Sequence, residues 1–277
     1  MSATRRAIDE RVGPEHGQAI APEGASAGEQ ERPLAGLTEA ERVAARYARR
    51  GNADRYAASN PDVWLMLQER QRAMLGLFRR HGVGPFGGLR VVEVGCGAGG
   101  NLLELLRLGF DPAHLVGIEL LPERHAEARR VLPAALVLHC GDAATFDPGA
   151  ESQDLVYAST VFSSLLDDAF QQRLADAMWR WVKPGGAVLW YDFTVNNPRN
   201  PDVRAVTLRR LHELFPEARI SARRVTLAPP LARPLAALHP AFHAAFNLLP
   251  ALRTHVLAWV GKPAPGSRGP KERAAPS

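Results

Sequence analysis

Residues 91–102 read VVEVGCGAGGNL, a short apolar run that leads directly into a cluster of glycines. The apolar residues predict a buried strand over 91–94, and the residues after the glycines predict a helix over 101–108. Glycine permits positive φ angles and lets a backbone approach a ligand closely, because it has no Cβ. This stretch therefore predicts a strand, a ligand-binding loop and a helix in succession.

Strand and helix patterns alternate along the rest of the chain. We predict six more strands, over Leu115–Glu119, Ala135–His139, Leu155–Ala158, Ala187–Phe193, Arg219–Leu227 and His255–Val260. Helices are predicted between them, over about Pro122–Leu132, near Ser163–Leu165, and over Gln171–Trp181, Val203–Phe215 and a Pro-interrupted insert at Leu231–Leu249. This order predicts an α/β fold with a doubly wound, mostly parallel, seven-stranded Rossmann-like sheet.

The same pattern divides the chain into parts. We expect a disordered leader over residues 1–36 and a disordered tail over 262–277, because both are rich in Gly, Pro and Ala and lack apolar periodicity. Residues 37–85 predict an N-terminal helical cover, in which the charged residues of WLMLQERQRAML at 64–75 form a solvated face. Residues 86–261 form the main domain, whose insert at 231–250 predicts an apolar lid, a pocket wall or an oligomer contact.

The composition limits the class of protein. The net charge is +5, but the arginines are scattered among Ala, Leu, Pro and Gly, so we expect no nucleic-acid partner. No apolar run approaches the ~20 residues of a membrane-spanning helix. The N-terminus lacks the apolar core of a secretory signal, which predicts a cytoplasmic protein. The two cysteines, Cys96 and Cys140, do not make a disulfide framework.

Three acids stand at the ends of successive predicted strands. Glu93 precedes the glycines, Glu119 follows the middle glycine by about 20 residues, and Asp142 closes the third strand. An acid at the offset of Glu119 accepts hydrogen bonds from the ribose of an adenosine ligand. The glycines fit both G-x-G-x-x-G, ending at Gly100, and G-x-G-x-G, ending at Gly99, so they leave a dinucleotide open. Glu93 argues against a pyrophosphate on the loop and favours a ligand with cationic groups.

Five stretches carry a resemblance to a known family: VVEVGCGAGGNL, LVGIEL, CGDAATF, DLVYASTVFSSLLDD and WVKPGGAVLWYDF. In this order, over roughly Arg90 to Asp192, they resemble the class I S-adenosylmethionine-dependent methyltransferases. The first and last stretches are the specific ones. The resemblance implies that S-adenosylmethionine is the cofactor.

The resemblance also implies a cofactor site, residue by residue. The glycines would cradle the methionine part, Glu93 would hold its amino group, Glu119 would bind the ribose, and Asp142 with its neighbour would bind the adenine. The full set of predicted cofactor residues is Glu93, Gly95, Cys96, Gly97, Gly99, Asn101, Glu119, Leu120, Asp142, Ala143, Ser159 and Tyr56, with Tyr47 as the alternative to Tyr56.

The substrate side carries weaker signals. Family members that methylate nucleobase amines have Asn or Asp, two prolines and an aromatic after the fourth strand, whereas residues 158–162 here read ASTVF, which disfavours a DNA or RNA amine. The candidate catalytic residues are Asp192, Tyr191, His239 and His243. The two histidines are four residues apart, a spacing that also suits a metal, but no third ligand is apparent and we predict no metal site. Arg199 and Arg204 are candidates for orienting a hydroxylated or carboxylated substrate.

These features predict a methyltransferase that acts on a small metabolite. We expect O-methylation of a partly hydrophobic biosynthetic intermediate, with C- or N-methylation of a small molecule left open. A macromolecular methyltransferase acting on RNA or protein is the second interpretation, because the chain is basic. An NAD-dependent oxidoreductase that uses the longer glycine pattern is a further alternative, and the oligomeric state is left open.

Overall fold

The described residues of this computed structural model, 36–49, 57–198 and 200–266, contain seven strands joined in one sheet. In chain order the strands are β1 (Val91–Val94), β2 (Leu115–Glu119), β3 (Val137–Cys140), β4 (Gln153–Ser159), β5 (Val182–Phe193), β6 (Arg219–Leu227) and β7 (Arg253–Gly261). Their order across the sheet is β3-β2-β1-β4-β5-β7-β6. Strands β1 to β5 pair in parallel, and β7 runs antiparallel to both β5 and β6. The predicted fold class is confirmed.

Eight α-helices of the described chain flank this sheet or connect its strands. They are α1 (Glu39–Ala48), α2 (Pro61–Arg80), α3 (Gly100–Arg107), α4 (Pro122–Val131), α5 (Asp168–Trp181), α6 (Leu208–Leu214), α7 (Pro229–Leu238) and α8 (Pro240–Asn247). Thr38 and Glu41 form a capping box that begins α1. The Thr38 hydroxyl accepts a hydrogen bond from the Glu41 N–H, and the Glu41 carboxylate accepts one from the Thr38 N–H.

Two core layers cover the sheet and explain why the central strands read as unbroken apolar runs. One layer packs residues of α5 and α6, such as Met178 and Leu214, against Val92 and Val188. The other layer packs residues of α2 and α3 against the alternate residues of the same strands. It contains Phe78 of α2 and Val91 of β1, for example. The period of two in side-chain direction therefore divides each strand between the two cores.

Some predicted boundaries were wrong. The helix predicted over Val203–Phe215 is shorter, because the Val206 N–H bonds to Phe193 O and holds the preceding residues extended against the sheet. The helix predicted near Ser163–Leu165 is a single 3-10 turn at Phe162–Ser164. The third strand begins two residues later than predicted, at Val137, because the Leu136 N–H closes a turn onto Pro133 O.

The insert between β6 and β7 forms the helix pair α7 and α8, which packs on α2 and on β6. Its buried side chains include Ala232, Ala236 and His243. The predicted leader, except Gly36, and the predicted tail after residue 266 lie outside the described residues. None of the helices described in the chain is both long enough and apolar enough to cross a membrane.

Gly117 in β2 tests how tightly the sheet packs below the glycine loop. A Cβ at this position would lie 2.7 Å from Leu138 Cδ2, 2.8 Å from Leu102 Cδ1 and 2.9 Å from Cys96 Sγ. We expect Gly117→Ala to lower the free energy of unfolding by about 1–3 kcal/mol, because an overpacked core must shift. Chemical denaturation measures this change.

Gly76 provides the matched control. It lies within α2, and a Cβ there would meet no atom within 4 Å. Gly76→Ala should raise the free energy of unfolding by up to about 1 kcal/mol, since alanine favours a helix interior over glycine. Equal effects of the two substitutions would contradict the packing described for Gly117.

Candidate active site

The loop between β1 and α3 turns through positive φ at Gly95, Gly97 and Gly99. At Gly99, φ is 86° and a Cβ would lie 2.8 Å from Leu132 Cδ1, so any side chain would be strained and would collide. The loop is held to the next strand by a hydrogen bond of 2.9 Å from Cys96 N to Ile118 O. The sequence therefore forms a tight backbone curve at the carboxyl edge of the sheet.

Glu119 fixes this curve from the end of β2. Its Oε2 accepts a hydrogen bond of 2.7 Å from Gly97 N, and its Oε1 accepts one of 2.9 Å from Leu121 N. The carboxylate is buried but lines the cavity described below. Each carboxylate oxygen can accept more than one hydrogen bond, so Glu119 retains acceptor capacity for ligand hydroxyls.

Glu93 lies beneath the loop and is fully buried. Its Oε1 accepts a hydrogen bond of 2.6 Å from Asn101 Nδ2, and its Oε2 is buried without a hydrogen bond from any residue that the structure describes. Burial raises the pKa of this carboxyl to about 8, although Asn101 and Arg70 act to lower it. A cationic ligand group close to the loop would stabilise the ionised form, which fits the ammonium group that the resemblance implies.

A cavity of about 990 Å³ opens at the carboxyl ends of β1, β2 and β4. This is the edge at which ligands bind in doubly wound sheets, and the volume is at the upper end of the usual range for ligand pockets, about 300–1,000 Å³. Nine predicted cofactor residues line the cavity: Gly95, Cys96, Gly97, Asn101, Glu119, Leu120, Asp142, Ala143 and Ser159. The structure thus brings most of the predicted set together.

The other predicted cofactor residues lie elsewhere. Glu93 and Gly99 support the loop from behind, and Tyr56 lies outside the described residues. Its alternative, Tyr47 of α1, does line the cavity. Asp142 shapes one wall of the cavity, because its Oδ1 accepts a hydrogen bond of 2.8 Å from Ala144 N and begins a short 3-10 helix there.

Arg70 is the main site residue that the sequence analysis missed. We expected a solvated charged face on this part of α2, but Arg70 is buried and lines the cavity. Its Nη2 donates to Asn101 Oδ1 at 2.6 Å and pairs with Glu104 at 3.2 Å. The sequence spacing could have indicated that Arg70 is buried. Arg70 is four and seven residues before the core residues Met74 and Leu77, which places the three on one face of the helix.

Helix α1 is fixed over the cavity by a buried polar cluster that the sequence also left unrecognised. Arg46 Nη2 donates to Ser164 O at 2.8 Å and to Glu39 Oε1 at 2.6 Å. The same Glu39 oxygen accepts from Leu166 N at 2.9 Å. These bonds join α1 to the loop after β4 and place Tyr47 at the cavity wall.

Two of the four predicted catalytic residues are internal to β5. Asp192 is buried, and its Oδ2 accepts a hydrogen bond of 3.0 Å from Ser163 N. Burial raises the pKa of Asp192 to about 7, although its hydrogen bonds with Ser163 act to lower it. The Tyr191 hydroxyl lies 2.8 Å from Thr226 Oγ1, on the other face of the strand. Neither Asp192 nor Tyr191 is among the residues that line the cavity.

The two predicted histidines lie on the insert, away from the cavity lining. His239 begins α8, where its Nδ1 accepts from Ala241 N at 3.1 Å, and His243 is buried, which lowers its pKa. Because α7 and α8 pack on α2 and β6, the packing gives no support to a lid role for the insert. Arg204 forms an ion pair with Asp168, and Arg199 lies outside the described residues.

Comparison with known proteins assigns this fold and site to a class. Residues 91–186 match the family model described as a methyltransferase domain. The fold resembles that of a solved S-adenosylmethionine-dependent methyltransferase from Mesorhizobium loti, with a TM-score of 0.50 and 18% identity over 69% of this chain and 98% of that one. Residues 91–186 are thus a methyltransferase domain, and the chain has the fold of the S-adenosylmethionine-dependent methyltransferases, for which S-adenosylmethionine is the cofactor.

A curated relative and a second structure set the limits of this assignment. A protein of Methylobacterium nodulans named trans-aconitate 2-methyltransferase is 35% identical over 99 residues, which is 36% of this chain and 36% of that protein. The match thus spans about a third of the relative's length. The [4+2]-cyclase SpnF has a TM-score of 0.50 with 18% identity over 71% of this chain and 82% of its own. The likeness to solved structures shows the fold alone, because one fold supports several reactions.

Glu119→Ala should weaken cofactor binding. The substitution removes the acceptor of the Gly97 N–H and the capacity to accept from the ribose. We expect Kd for S-adenosylhomocysteine to rise at least about tenfold, because one hydrogen bond to a charged group is worth about 1.5–3 kcal/mol. Isothermal titration calorimetry measures Kd. Glu123→Ala, an exposed acid on α4, should leave it unchanged, and equal Kd values for the two variants would remove Glu119 from the site.

Asp192→Asn should change how stability depends on pH. The pKa of Asp192 is raised from its ordinary value of 3.8 to about 7 by burial. Its contribution to stability is therefore fully present below pH 3.8 and is lost as pH rises through about 7. Asparagine does not ionise, so the Tm difference should move in favour of the variant between about pH 5 and about pH 8. A constant difference in calorimetric scans over this range would contradict the raised pKa.

Proposed function

We propose that this protein transfers a methyl group from S-adenosylmethionine to an oxygen of a small, partly hydrophobic metabolite that carries a carboxylate. The observation that carries the proposal is the continuity of one cavity from the glycine loop to a wall formed by α2 and α3. That wall includes Trp64, Leu67, Leu103 and Leu106, which suit the apolar part of a substrate. The volume leaves room for a small molecule beside the cofactor.

The described carboxylates of the cavity are already engaged in hydrogen bonds or an ion pair, so none is placed as a general base. The site therefore favours an acceptor that arrives deprotonated. No histidine among the described residues lines the cavity. The three lining carboxylates are engaged: Glu104 with Arg70, Glu119 with two backbone N–H groups, and Asp142 with Ala144 N. The Cys96 thiol is not a base either, because burial raises its pKa. A carboxylate oxygen is already ionised near neutral pH and needs no general base.

The lining cations favour the same kind of substrate. Arg70, Arg107 and Arg124 all line the cavity, and guanidinium groups bind carboxylates well because their donors match the two oxygens. The relative named trans-aconitate 2-methyltransferase supports a small carboxylated acceptor for this chain too. A small-molecule partner and a cytoplasmic location are part of the proposal.

Catalysis in this proposal comes from placement. S-adenosylmethionine, when bound, supplies an electrophilic methyl group. The glycine loop, Glu119 and Asp142 hold the donor at the strand ends, while α1 covers the cavity through its bonds to the loop after β4. Holding two reactants in line and away from water accounts for much of the rate enhancement that such a transfer needs. Asp192 and Tyr191 act in this arrangement by supporting β5 and the loop at Ser163.

Other acceptors remain alternatives within the same class. C- or N-methylation of a small molecule would use the same donor site, and a basic chain leaves RNA or protein as a second class of acceptor. An NAD-dependent oxidoreductase is not retained, because the family has S-adenosylmethionine as its cofactor.

The test labels the product and examines the bond formed. We expect purified protein, methyl-labelled S-adenosylmethionine and a fractionated cell extract to yield label in the small-molecule fraction, and mild alkali to release that label as methanol. Only a methyl ester behaves in this way, since methyl ethers and N- or C-methyl groups resist mild alkali. Alkali-stable label would overturn the carboxylate, and label in RNA or protein would overturn the small molecule. At a cofactor concentration near the wild-type Kd, Glu119→Ala should give much less label, and Glu123→Ala should give normal label.

A further inference from the structure

The helix pair α7 and α8 exposes an unusual amount of apolar surface. Six of the eleven exposed large apolar side chains in the described residues lie between residues 231 and 249, and they form what we call the insert surface: Leu231, Leu238, Phe242, Phe246, Leu248 and Leu249. Single exposed apolar residues are ordinary, but a cluster of this kind marks an interaction site. The structure thus concentrates its exposed apolar groups in one element.

The two phenylalanines show that this exposure belongs to one helix face. Phe242 and Phe246 are four residues apart in α8 and are 48% and 41% exposed. His243, between them in the sequence, is 4% exposed, and α8 packs on α2. Helix α8 therefore uses its single buried polar side chain to face the protein and presents its aromatic rings to the outside.

The chain segments that form and flank the insert surface carry mainly basic charges. The sequence from Ala218 to Gly266 contains no Asp or Glu, whereas six Lys and Arg residues fall within it. Arg223 on β6 is exposed and lies opposite Leu257 of β7, whose side chain belongs to the core layer on the α2 side. Arg223 and the insert surface are therefore on the same side of the sheet. Two of the six cations are neutralised by acids of α2, Arg233 by Asp62 at 3.6 Å and Arg253 by Glu69 at 3.8 Å, so the basic border lies along β6, where Arg223 is exposed. An apolar surface with such a border is complementary to an anionic, amphipathic partner.

We propose that the insert surface docks this protein on a membrane surface that contains anionic lipid. Phe and Leu side chains enter the boundary between headgroups and acyl chains, while arginines beside them attract the anionic headgroups. Helices of 10 and 8 residues are too short to cross a bilayer. They lie on its surface instead. No residue of α7 or α8 is among those described as lining the cavity, so docking leaves the cavity accessible.

A second copy of the chain fits this surface less well. A two-fold contact places the same patch on itself, so the basic border of one copy would face that of the other. Anionic headgroups neutralise the same border. The charge therefore favours a lipid surface over self-association.

Vesicle co-sedimentation tests the proposal with the full chain. We expect the protein to sediment with vesicles of phosphatidylcholine and phosphatidylglycerol in equal parts and to stay in the supernatant with phosphatidylcholine alone. High salt should release it, because screening weakens the attraction of arginines to headgroups. Arg223→Ser should weaken binding about fivefold, as expected for one cation near an anionic surface.

The double variant Phe242→Ser and Phe246→Ser should lose vesicle binding by at least about tenfold, because two apolar anchors are removed. Its control is Val131→Ser with Val137→Ser, two side chains that are each 53% exposed near the other edge of the sheet. Circular dichroism should show that all variants are folded. Wild-type binding by the phenylalanine variant would overturn the proposal. Two other results would also overturn it. One is that the wild type binds no vesicles but forms a dimer in light scattering, and the phenylalanine variant does not form it. The other is that the wild type binds no vesicles but binds RNA through Arg223.

Discussion

The Glu119 carboxylate joins the ends of two neighbouring strands, and the geometry of the whole cavity depends on that bond pair. One oxygen holds the Gly97 N–H in the glycine loop, and the other holds the Leu121 N–H where α4 begins. Because β1 and β2 are parallel neighbours, their carboxyl ends lie at one edge, and a single side chain reaches both. The loop keeps its positive φ angles only if something fixes its amides, and a buried charged acceptor does so more strongly than a neutral one.

Much of the fold could be predicted because its central strands are covered on both faces. The limits of β1 and β2 agree with the sequence pattern, since an apolar run in a parallel sheet ends where the chain reaches the solvent at the sheet edge. Part of the cavity lining could be predicted for a related reason. Strand ends converge at one edge, so acids that are distant in sequence, such as Glu119 and Asp142, come together without any knowledge of side-chain packing.

The rest of the candidate site resisted prediction because it depends on contacts between distant segments. In the sequence, Arg70 is one of several charges on a helix. Only the structure shows that Asn101, 31 residues later in the chain, lies beside it. The bond from Arg46 to Ser164 spans 118 residues and has no local pattern. Asp192 stands near the end of its strand in the sequence, but pairing with β7 keeps it inside the sheet, and its carboxylate turns toward Ser163. Nearness to a strand end therefore does not by itself place a side chain in the cavity lining.

Strand β6 has a further consequence for how the chain behaves before it is fully folded. It lies at one edge of the sheet of described strands and pairs there with β7 alone, so no strand covers the other side of its nine-residue backbone. Side chains bind part of that backbone, since the Thr226 N–H donates to Glu69 and Arg224 O accepts from Arg253. A long exposed edge strand can recruit strands from other molecules and lead to aggregation. Arg219, Arg223 and Arg224 are exposed along β6 and repel a second copy of the same strand. These arginines thus prevent a strand of a neighbouring molecule from extending the sheet beyond β6.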